Sequence, residues 1–355
     1  MALSNLTTYL SKCVEAGASD IFIQAGSPVF AKVNGKVMQM SAETLNPRDS
    51  MRFITEMYGL AQRDKDVFEA KGDDDFSFYM QDVARFRANA YHQRGSTGAV
   101  VRIVAFHIPK YQDVHIPDAI MELADAKSGL IVICGPAGSG KSTTQACMID
   151  RINHTRDGHI ITIEDPIEYI HKNDKALITQ REIPIDAESF ESALRAALRQ
   201  TPDVILLGEM RDYDTIRAVV TAAETGHLVI ATLHTLGAVN SIDRIIDSFP
   251  AEQQAQIRLQ VSMVLRAVVS QRLLPCVDGQ LRPAFELLGN TLAVRNLIRE
   301  KSTHQINSII ISGRSDGMFS MDESIIALYK DGAITAETAL LNANNYDFVK
   351  TRIAI

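Results

Sequence analysis

Apolar positions in the middle of the chain form short continuous runs that alternate with segments of helical spacing. Four such runs predict strands over residues 130–134, 159–164, 204–207 and 227–233. A continuous apolar run indicates a strand covered on both faces, and its alternation with helices indicates a parallel sheet with right-handed crossovers. Two further runs, 268–274 and 281–287, flank Asp278-Gly279 and predict a β-hairpin, and after Thr291 the pattern is helical to the end.

The first 108 residues follow a different pattern, which predicts a small α+β unit. A helix with apolar positions 6, 10, 13 and 14 precedes a strand over 20–24 and a hairpin around Asn34-Gly35. Asn46 followed by Pro47 predicts a helix N-terminus, and two short helices reach to about residue 70. Three strand candidates follow, 76–80, 85–93 and 99–108, so we expect a mixed sheet with helices on one side.

Residues 109–117 contain two prolines and no periodicity, which is typical of a linker. We therefore predict an N-terminal domain over 1–108 and an α/β domain over 118–355, whose C-terminal helices begin at about residue 291. A chain of 355 residues favours two domains over one.

Composition and charge narrow the class of protein. With 46% hydrophobic and 22% charged residues, and no apolar run near the ~20 residues of a membrane span, a soluble protein is predicted. A net charge of −7 argues against a nucleic-acid binder. The four cysteines are scattered without a C-x-x-C pair, so neither zinc nor a disulfide framework is expected, and reduced thiols fit a cytoplasmic protein. The N-terminus lacks the basic and apolar regions of a signal peptide.

The segment GPAGSGKST carries the strongest chemical signal. It matches G-x-x-x-x-G-K-[ST], follows the predicted strand 130–134 and precedes a helical segment, which is the context that a phosphate-binding loop requires. Backbone N–H groups of such a loop surround phosphates, and the lysine reaches the β- and γ-phosphates of ATP. The predicted nucleotide-binding residues are Gly135, Pro136, Ala137, Gly138, Ser139, Gly140, Lys141, Ser142 and Thr143.

Acidic residues follow two of the predicted strands. Nucleotide-hydrolysing folds usually place an aspartate after the strand 204–207, but here Gly208 takes that position and Glu209 follows. Glu164, Asp165 and Glu168 follow the strand 159–164, at the sheet edge where ligands bind. We expect Ser142, Glu164 and Glu209 to hold Mg²⁺, partly through water, while another acid activates the attacking water. The alternative for Glu164, Asp165 and Glu168 is a solvated acidic turn.

Histidines and arginines give further candidates. His234, at the carboxyl end of the strand 227–233, is placed to sense the γ-phosphate, whereas His227 at the other end is either structural or functional. A zinc site is disfavoured because it needs about four ligands and no thiol is near. Arg85, Arg87 and Arg102 lie on neighbouring strands of the first domain and form either surface ion pairs or arginine fingers supplied to an adjacent subunit.

Over nearly its whole length the chain resembles the pilus retraction (twitching motility) motors of the secretion ATPase superfamily. The segments that carry the resemblance are AGASD (16–20), RFRANAYHQRG (85–95), GPAGSGKSTT (135–144), ITIEDPIEY (161–169), LRQTPDVILLGEMRD (198–212), TAAETGHLVIATLHT (221–235) and AVRNLIRE (293–300). It implies a PAS-like N-terminal domain, a RecA-like P-loop motor domain and a homohexameric ring that binds ATP and Mg²⁺. Carried over by position, the resemblance implies that Lys141 and Ser142 bind phosphate and Mg²⁺. It also implies that Glu168 is the catalytic glutamate and Glu209 the Walker B acid, and that the family shares Gly208.

The function that the resemblance implies is ATP-driven pilus retraction at the inner face of the cell membrane, with an inner-membrane platform protein as partner. The lack of a C-x-x-C subdomain favours the retraction branch, although a retraction paralogue shares the same motifs. Another secretion motor, for conjugation or DNA uptake, and a RecA-like nucleic-acid motor are the alternatives. Val294, Leu297 and Ile298 share one helical face, and we expect this helix, with Arg295 and Arg299, to transmit motion to a partner.

Overall fold

The computed structural model describes residues 5–33, 35–81, 83–104 and 108–353. The chain divides into two compact units. The first comprises Met1–His107 together with Glu168–Ile170, and the second comprises Ile108–Ile167 and His171–Ile355.

The first unit combines helices with one antiparallel sheet. Its helices in the described range are α1 (Leu6–Glu15), α2 (Pro47–Ala61) and α3 (Asp66–Lys71), and its strands are β1 (Ala18–Gln24), β2 (Phe30–Val33), β3 (Lys36–Gln39), β4 (Asp73–Met80), β5 (Ala84–Gln93) and β6 (Ser96–Val104). These bounds confirm the predicted helices and strands, except that β6 ends at Val104 and residues 105–107 of the last predicted strand lie outside the described residues.

The sheet of the first unit has the order β3-β2-β1-β6-β5-β4, and every neighbouring pair is antiparallel rather than mixed as predicted. Burial alternates along β5, so one face carries the core with Phe86 while the other carries polar residues. Asn46 caps α2 as predicted, because its side chain accepts a hydrogen bond from the Asp49 amide and the Asp49 carboxylate accepts one from the Asn46 amide. β2 and β3 pair as a hairpin, but Asn34 lies outside the described residues.

The second unit alternates strands and helices before it ends in helices. Its strands are β7 (Gly129–Cys134), β8 (Gly158–Glu164), β9 (Ala176–Glu182), β10 (Val204–Leu207), β11 (Leu228–Leu233), β12 (Leu265–Pro275) and β13 (Leu281–Gly289). Its α-helices in the described range are α4 (Asp118–Met121), α5 (Lys141–Thr155), α6 (Phe190–Ala197), α7 (Tyr213–Glu224), α8 (Ala238–Asp247), α9 (Gln254–Val264), α10 (Leu292–Arg299), α11 (Ile306–Ser312), α12 (Met321–Lys330), α13 (Ala336–Asn342) and α14 (Tyr346–Ile353).

The sheet of the second unit has the order β13-β12-β7-β11-β10-β8-β9 and is parallel except for the hairpin pair β12–β13. The four predicted strands and the hairpin are confirmed, and β9 was not predicted. Successive residues of β7 belong to two apolar clusters on opposite faces of the sheet. One cluster includes residues of α5 and the other includes residues of α6 to α11, so the sheet is covered on both faces.

This strand order places four loops side by side. β7, β11, β10 and β8 are consecutive neighbours in the sheet and run parallel, so their carboxyl ends meet at one edge. The segments that follow them begin at Gly135, His234, Gly208 and Asp165, respectively. The topology therefore gathers the predicted phosphate loop, histidine and acids at one edge.

The C-terminal helices form a separate apolar cluster on the end of the β12–β13 hairpin. α12, α13 and α14 pack with Leu274 and Ala284. In the described part of the chain, none of the helices combines the length and the apolar character that a bilayer crossing requires.

Candidate nucleotide site

The segment between β7 and α5 has the backbone of a glycine-rich turn that ends in a helix. Gly138 and Gly140 have φ angles of 74° and 87°, in the region that favours glycine, and α5 begins directly at Lys141. The Ser139 hydroxyl oxygen is buried and has no hydrogen-bond partner among the described residues. A buried hydroxyl beside a helix N-terminus is a suitable donor for a phosphate oxygen.

Lys141 folds back over this loop. Its Nζ atom donates hydrogen bonds to the carbonyl oxygens of Gly135 at 2.8 Å and Pro136 at 2.9 Å, and the residue is buried. Burial lowers the pKa of Lys141, because the ammonium loses hydration, while Cys134 and Glu209 act in the opposite direction. The ammonium is therefore held at the loop and feels the charge of Glu209.

Gln271, on β12, supports the loop from the neighbouring strand. Its Oε1 atom accepts a hydrogen bond from Thr144 Oγ1 at 2.8 Å, and the side chain is buried. A side chain at Gly135 would meet the Gln271 carbonyl, and a Cβ atom at Gly140 would lie 2.8 Å from Gln271 Nε2. The glycines are thus required by this close approach as well as by their φ angles.

Gly208 occupies the position that an aspartate usually takes in nucleotide-hydrolysing folds. Its amide donates to the Ile163 carbonyl at 2.7 Å, and its carbonyl accepts from Thr232 Oγ1, so the chain is clamped between β8 and β11. A Cβ atom here would lie 3.3 Å from Glu164 Cα and 3.4 Å from the Ile163 carbonyl oxygen. Backbone crowding therefore explains why glycine stands here and the acid follows at Glu209.

Glu209 is the centre of a charged cluster at the sheet edge. Its Oε2 atom accepts from Arg211 Nε at 2.6 Å, and its Oε1 atom lies 3.3 Å from His234 Nε2. Arg211 Nη2 also lies 3.7 Å from an oxygen of Asp165, which links the loops after β8 and β10. The hydrogen bond to Glu209 raises the pKa of the Arg211 guanidinium above its usual value. The structure thus brings Lys141, Glu209 and His234 together. It adds Arg211, which was not among the predicted site residues, although its position between Glu209 and Asp212 in the sequence could have indicated an ion pair with an acid.

The other predicted acids have different surroundings. Glu164 is half-buried, and its Oε1 atom accepts from Thr162 Oγ1 at 2.6 Å and from Gln180 Nε2 at 3.4 Å. Its backbone adjoins Gly208, so it lies at the same edge. Glu168 is exposed and groups with the first unit, so it is not among the side chains that the second unit gathers. Its catalytic role stays a prediction.

The three arginines lie in the first unit. Arg85 and Arg87 flank the buried Phe86 on β5, so both lie on the face opposite the core. Arg102 is the cross-strand partner of Arg87 and forms an ion pair with Asp20 at 3.0 Å. Arg102 therefore has the surface ion pair that was predicted as the alternative to an arginine finger.

His227 lies at the amino end of β11 and has a structural partner. Its Nδ1 atom is 3.0 Å from the Ala222 carbonyl and 3.1 Å from Thr225 Oγ1, at the C-terminus of α7. This position is at the opposite end of the strand from His234.

A cavity of about 300 Å³ adjoins the phosphate loop within the second unit. Gly140, Thr143 and Thr144 line it on the loop side, Gln271 and Gln280 line it on the hairpin side, and residues 113–116 line it as well. The cavity has both polar and apolar walls, which suits a ribose or a base next to a bound phosphate chain.

The residues present fit Mg²⁺ as part of a nucleotide complex. In the described part of the chain, no three His, Cys, Asp or Glu side chains converge into a metal cage. Mg²⁺ at such sites takes one or two carboxylates and completes its shell with water and substrate phosphates. Ser142, half-buried in the first turn of α5, and Glu209 would supply protein ligands beside the loop with its unpaired Ser139 hydroxyl.

Comparison with known proteins shows relatives of the same length and fold. The chain is 42% identical over 335 residues to "Type IV pilus retractation ATPase PilT" of Pseudomonas aeruginosa, which covers 94% of this chain and 97% of that protein. It is 39% identical over 343 residues to "Type IV pilus ATPase PilU" of the same organism, with 96% and 89% covered. A crystal structure described as the pilus retraction motor PilT with bound ADP superposes with a TM-score of 0.91 at 42% identity, covering 98% of this chain and 100% of that one.

These likenesses extend over both units. The fold is accordingly an α/β fold in which an N-terminal domain precedes a RecA-like ATPase domain. The family model described as "Type II/IV secretion system protein" matches residues 2–338. The chain therefore belongs to the type II/IV secretion system protein family.

Proposed function

We propose that this chain is an ATPase that drives pilus retraction and twitching motility. The proposal rests on the sheet edge at which the charge of Glu209 acts on Lys141 of the phosphate loop and His234 lies beside the Glu209 carboxylate. These are the groups that ATP hydrolysis requires next to one another: a phosphate cradle, a carboxylate and a group that reports the γ-phosphate. The near-full-length likeness to a retraction ATPase supports pilus retraction as the motion that hydrolysis drives.

Each side chain has a role in this proposal. The phosphate loop, Gly135 to Thr143, binds the phosphates, and the cavity beside Thr143 and Gln271 holds the ribose or base. Ser142 and Glu209, with Glu164 through a water, would hold Mg²⁺ bound with ATP, and the ion would supply positive charge against the phosphates. His234 senses the γ-phosphate, and Glu168 is proposed to activate the attacking water.

The assembly and its surroundings are part of the same proposal. A homohexameric ring with Arg85 and Arg87 supplied between subunits would complete each site, and Arg102 is the weakest of the three candidates because it already pairs with Asp20. We place the ring in the cytoplasm at the pilus base, on the inner face of the cell membrane, with the inner-membrane platform protein as its partner. No role for zinc or nucleic acid is proposed.

ATP hydrolysis by the purified chain tests the enzymatic part. Lys141→Ala is expected to abolish hydrolysis with the fold retained, because the ammonium that contacts the phosphates is gone. Lys330→Ala is the matched control, since Lys330 is exposed on α12 and surface changes of this kind leave stability nearly unchanged. Hydrolysis by Lys141→Ala at the rate of the control would refute the site.

Complementation tests the direction of work. Expression in Pseudomonas aeruginosa that lacks the PilT relative is expected to restore twitching, and expression in cells that lack the PilU relative separates the second candidate, which is 39% identical. Restoration in the second strain alone would favour that paralogue's role. ATPase stimulation by single-stranded DNA would instead indicate a nucleic-acid motor.

A further inference from the structure

Two buried side chains on the β12–β13 hairpin hold the segment that follows His234. Ser270 and Glu286 are directly opposite each other across the hairpin, and both are buried. Ser270 Oγ accepts a hydrogen bond from the Gly237 amide at 3.2 Å, and Glu286 Oε1 accepts one from the Ala238 amide at 2.9 Å. Consecutive amides at the start of α8 are thus bound by one cross-strand pair.

Helix α8 depends on this pair because it has no side-chain cap of its own. Gly237 precedes the helix with a φ angle of 85° and provides no side-chain acceptor. The first amides of a helix need acceptors, and here the acceptors come from β12 and β13 rather than from the local sequence. The start of α8 is therefore fixed relative to the sheet by Ser270 and Glu286.

The segment from His234 to the start of α8 is short and internally bonded. Two residues, Thr235 and Leu236, separate His234 from Gly237. Thr235 Oγ1 and Ser241 Oγ are 2.6 Å apart, and Ser241 Oγ donates to the Gly237 carbonyl at 2.9 Å. We therefore expect a displacement of Gly237 to move His234, whose Nε2 atom lies 3.3 Å from Glu209 Oε1.

A buried carboxylate at this point has an electrostatic reason. Burial raises the pKa of Glu286, while the amides of Ala238 and Met321 act in the opposite direction. Ala238 begins α8 and Met321 begins α12, so two helix N-termini face one side chain. Their positive ends stabilise the negative charge that burial disfavours.

We propose that Ser270 and Glu286 are positioning residues that hold His234 against Glu209, and that through Met321 the same carboxylate joins this segment to the C-terminal helices. The proposal rests on the proposed function, because that function gives His234 its role. It assigns to β13 a part in hydrolysis although none of its residues belongs to a nucleotide-binding motif.

The proposal predicts a separation between turnover and nucleotide binding. Glu286→Leu removes the acceptor for Ala238, so kcat for ATP is expected to fall about 10–100-fold, the range found when a side chain that orients a metal ligand is replaced. ADP affinity, measured with a fluorescent analogue, is expected to stay unchanged, because the phosphate loop follows β7 and rests on Gln271. Glu286→Gln keeps an acceptor oxygen and is expected to recover most of the turnover.

Two further variants give the matched control and a milder change. Ser324→Ala removes a hydrogen bond from the Phe285 amide to α12 at 3.1 Å but leaves the contact with α8, so kcat is expected to stay at the wild-type value. Ser270→Ala removes the Gly237 acceptor with a minimal change of volume, and it is expected to lower kcat even where Glu286→Leu fails to fold.

The decisive measurement is a double-mutant cycle with His234→Ala. If the pair acts through His234, Ser270→Ala and Glu286→Leu lower kcat in the wild-type background and add little in the His234→Ala background. Wild-type kcat in Ser270→Ala, or losses of equal size in both backgrounds, would overturn the proposal. These outcomes differ from failure of the proposed function, which would appear as ATP hydrolysis by Lys141→Ala.

Discussion

Gln271 holds the phosphate loop from a strand that lies outside the loop's own motif. It binds Thr144 and fills the space next to Gly135 and Gly140, and it also lines the cavity beside the loop. The loop's conformation therefore depends on a residue 127 positions away from Thr144 in the chain. The Gln271 side chain contacts Thr144 and Gly140, whereas its backbone carbonyl lies beside Gly135.

We predict that Gln271→Ala raises the KM for ATP and lowers the thermal unfolding temperature. The Thr144 hydroxyl would lose its buried acceptor, which costs about 1–3 kcal/mol, and the loop would gain freedom next to Gly140. Gln256→Ala, on the exposed side of α9, is the control. Steady-state kinetics and thermal unfolding of both variants check this, and an unchanged KM in Gln271→Ala would contradict it.

Gly208 lies where backbone atoms of β8 leave little room for a side chain. Gly208→Ala would place a methyl group 3.3 Å from Glu164 Cα and 3.4 Å from the Ile163 carbonyl, and backbone atoms have little room to yield. We expect a loss of about 1–3 kcal/mol in the free energy of unfolding. Gly289→Ala is the control, because its Cβ atom would meet Met318 Cγ at an ordinary 3.8 Å. Equal denaturant midpoints for the two variants would count against the crowding argument.

Residues in local motifs could be predicted from the sequence, whereas their supports could not. Lys141 and Gly140 lie in one short segment whose spacing alone indicates a phosphate loop. Gln271 contacts the phosphate loop because β12 lies beside β7, and Glu286 contacts the start of α8 from β13, which lies beside β12. No local pattern encodes that pairing, so a buried glutamine and a buried glutamate had no visible partner in the sequence.

Whether a strand could be predicted from the sequence depends on how completely the strand is buried. β7, β10 and β11 are buried at every position, and their unbroken apolar runs predicted them. β9 is an edge strand that is buried at its two ends and more open between them, so it has neither a continuous run nor an alternation. The order of the strands remained outside the prediction, because it depends on crossovers rather than on any single run.

Helix α10 changes an expectation about coupling. Val294 and Ile298 are fully buried in the core of the second unit, and Leu297 packs against the same cluster. Arg295 Nε donates to the Asn290 carbonyl at 3.3 Å, and Arg299 Nε donates to Ser262 Oγ at 2.9 Å. The apolar face and both charges are therefore engaged within the unit, and a role in transmitting motion stays a prediction.

We predict that Leu297→Ala combined with Ile298→Ala destabilises the second unit. Truncation of a buried isoleucine leaves a cavity and costs about 2–5 kcal/mol, and the half-buried leucine adds less. Leu292→Ala on the same helix is the control, since Leu292 is 71% exposed. Thermal unfolding measures the difference. A double variant that melts like Leu292→Ala would show that this face is not structural and would restore it as a candidate for partner contact.

The first unit contains candidate side chains for ATP hydrolysis. Its sheet presents Arg85 and Arg87 on the face opposite its core, and its described residues include Glu168. In the proposed ring Arg85 and Arg87 would act on a neighbouring subunit, because an arginine supplied from outside a site can stabilise the charge of a transferring phosphoryl group. Family membership supports the ring.

We predict that rings of mixed subunits recover activity that neither variant has alone. A Lys141→Ala subunit lacks a working phosphate loop but has an intact Arg87, and an Arg87→Ala subunit has the opposite defect. If Arg87 acts across the subunit boundary, one kind of interface in the mixture unites an intact loop with an intact arginine, and ATP hydrolysis returns. If Arg87 acts within its own subunit, no site in the mixture has both groups, and the rate stays at the level of the inactive parents. Arg102→Ala provides the control on the same sheet face, because its ion pair with Asp20 predicts hydrolysis near the wild-type rate. Hydrolysis that is unchanged in Arg85→Ala and in Arg87→Ala would remove the arginines of this sheet from the reaction altogether.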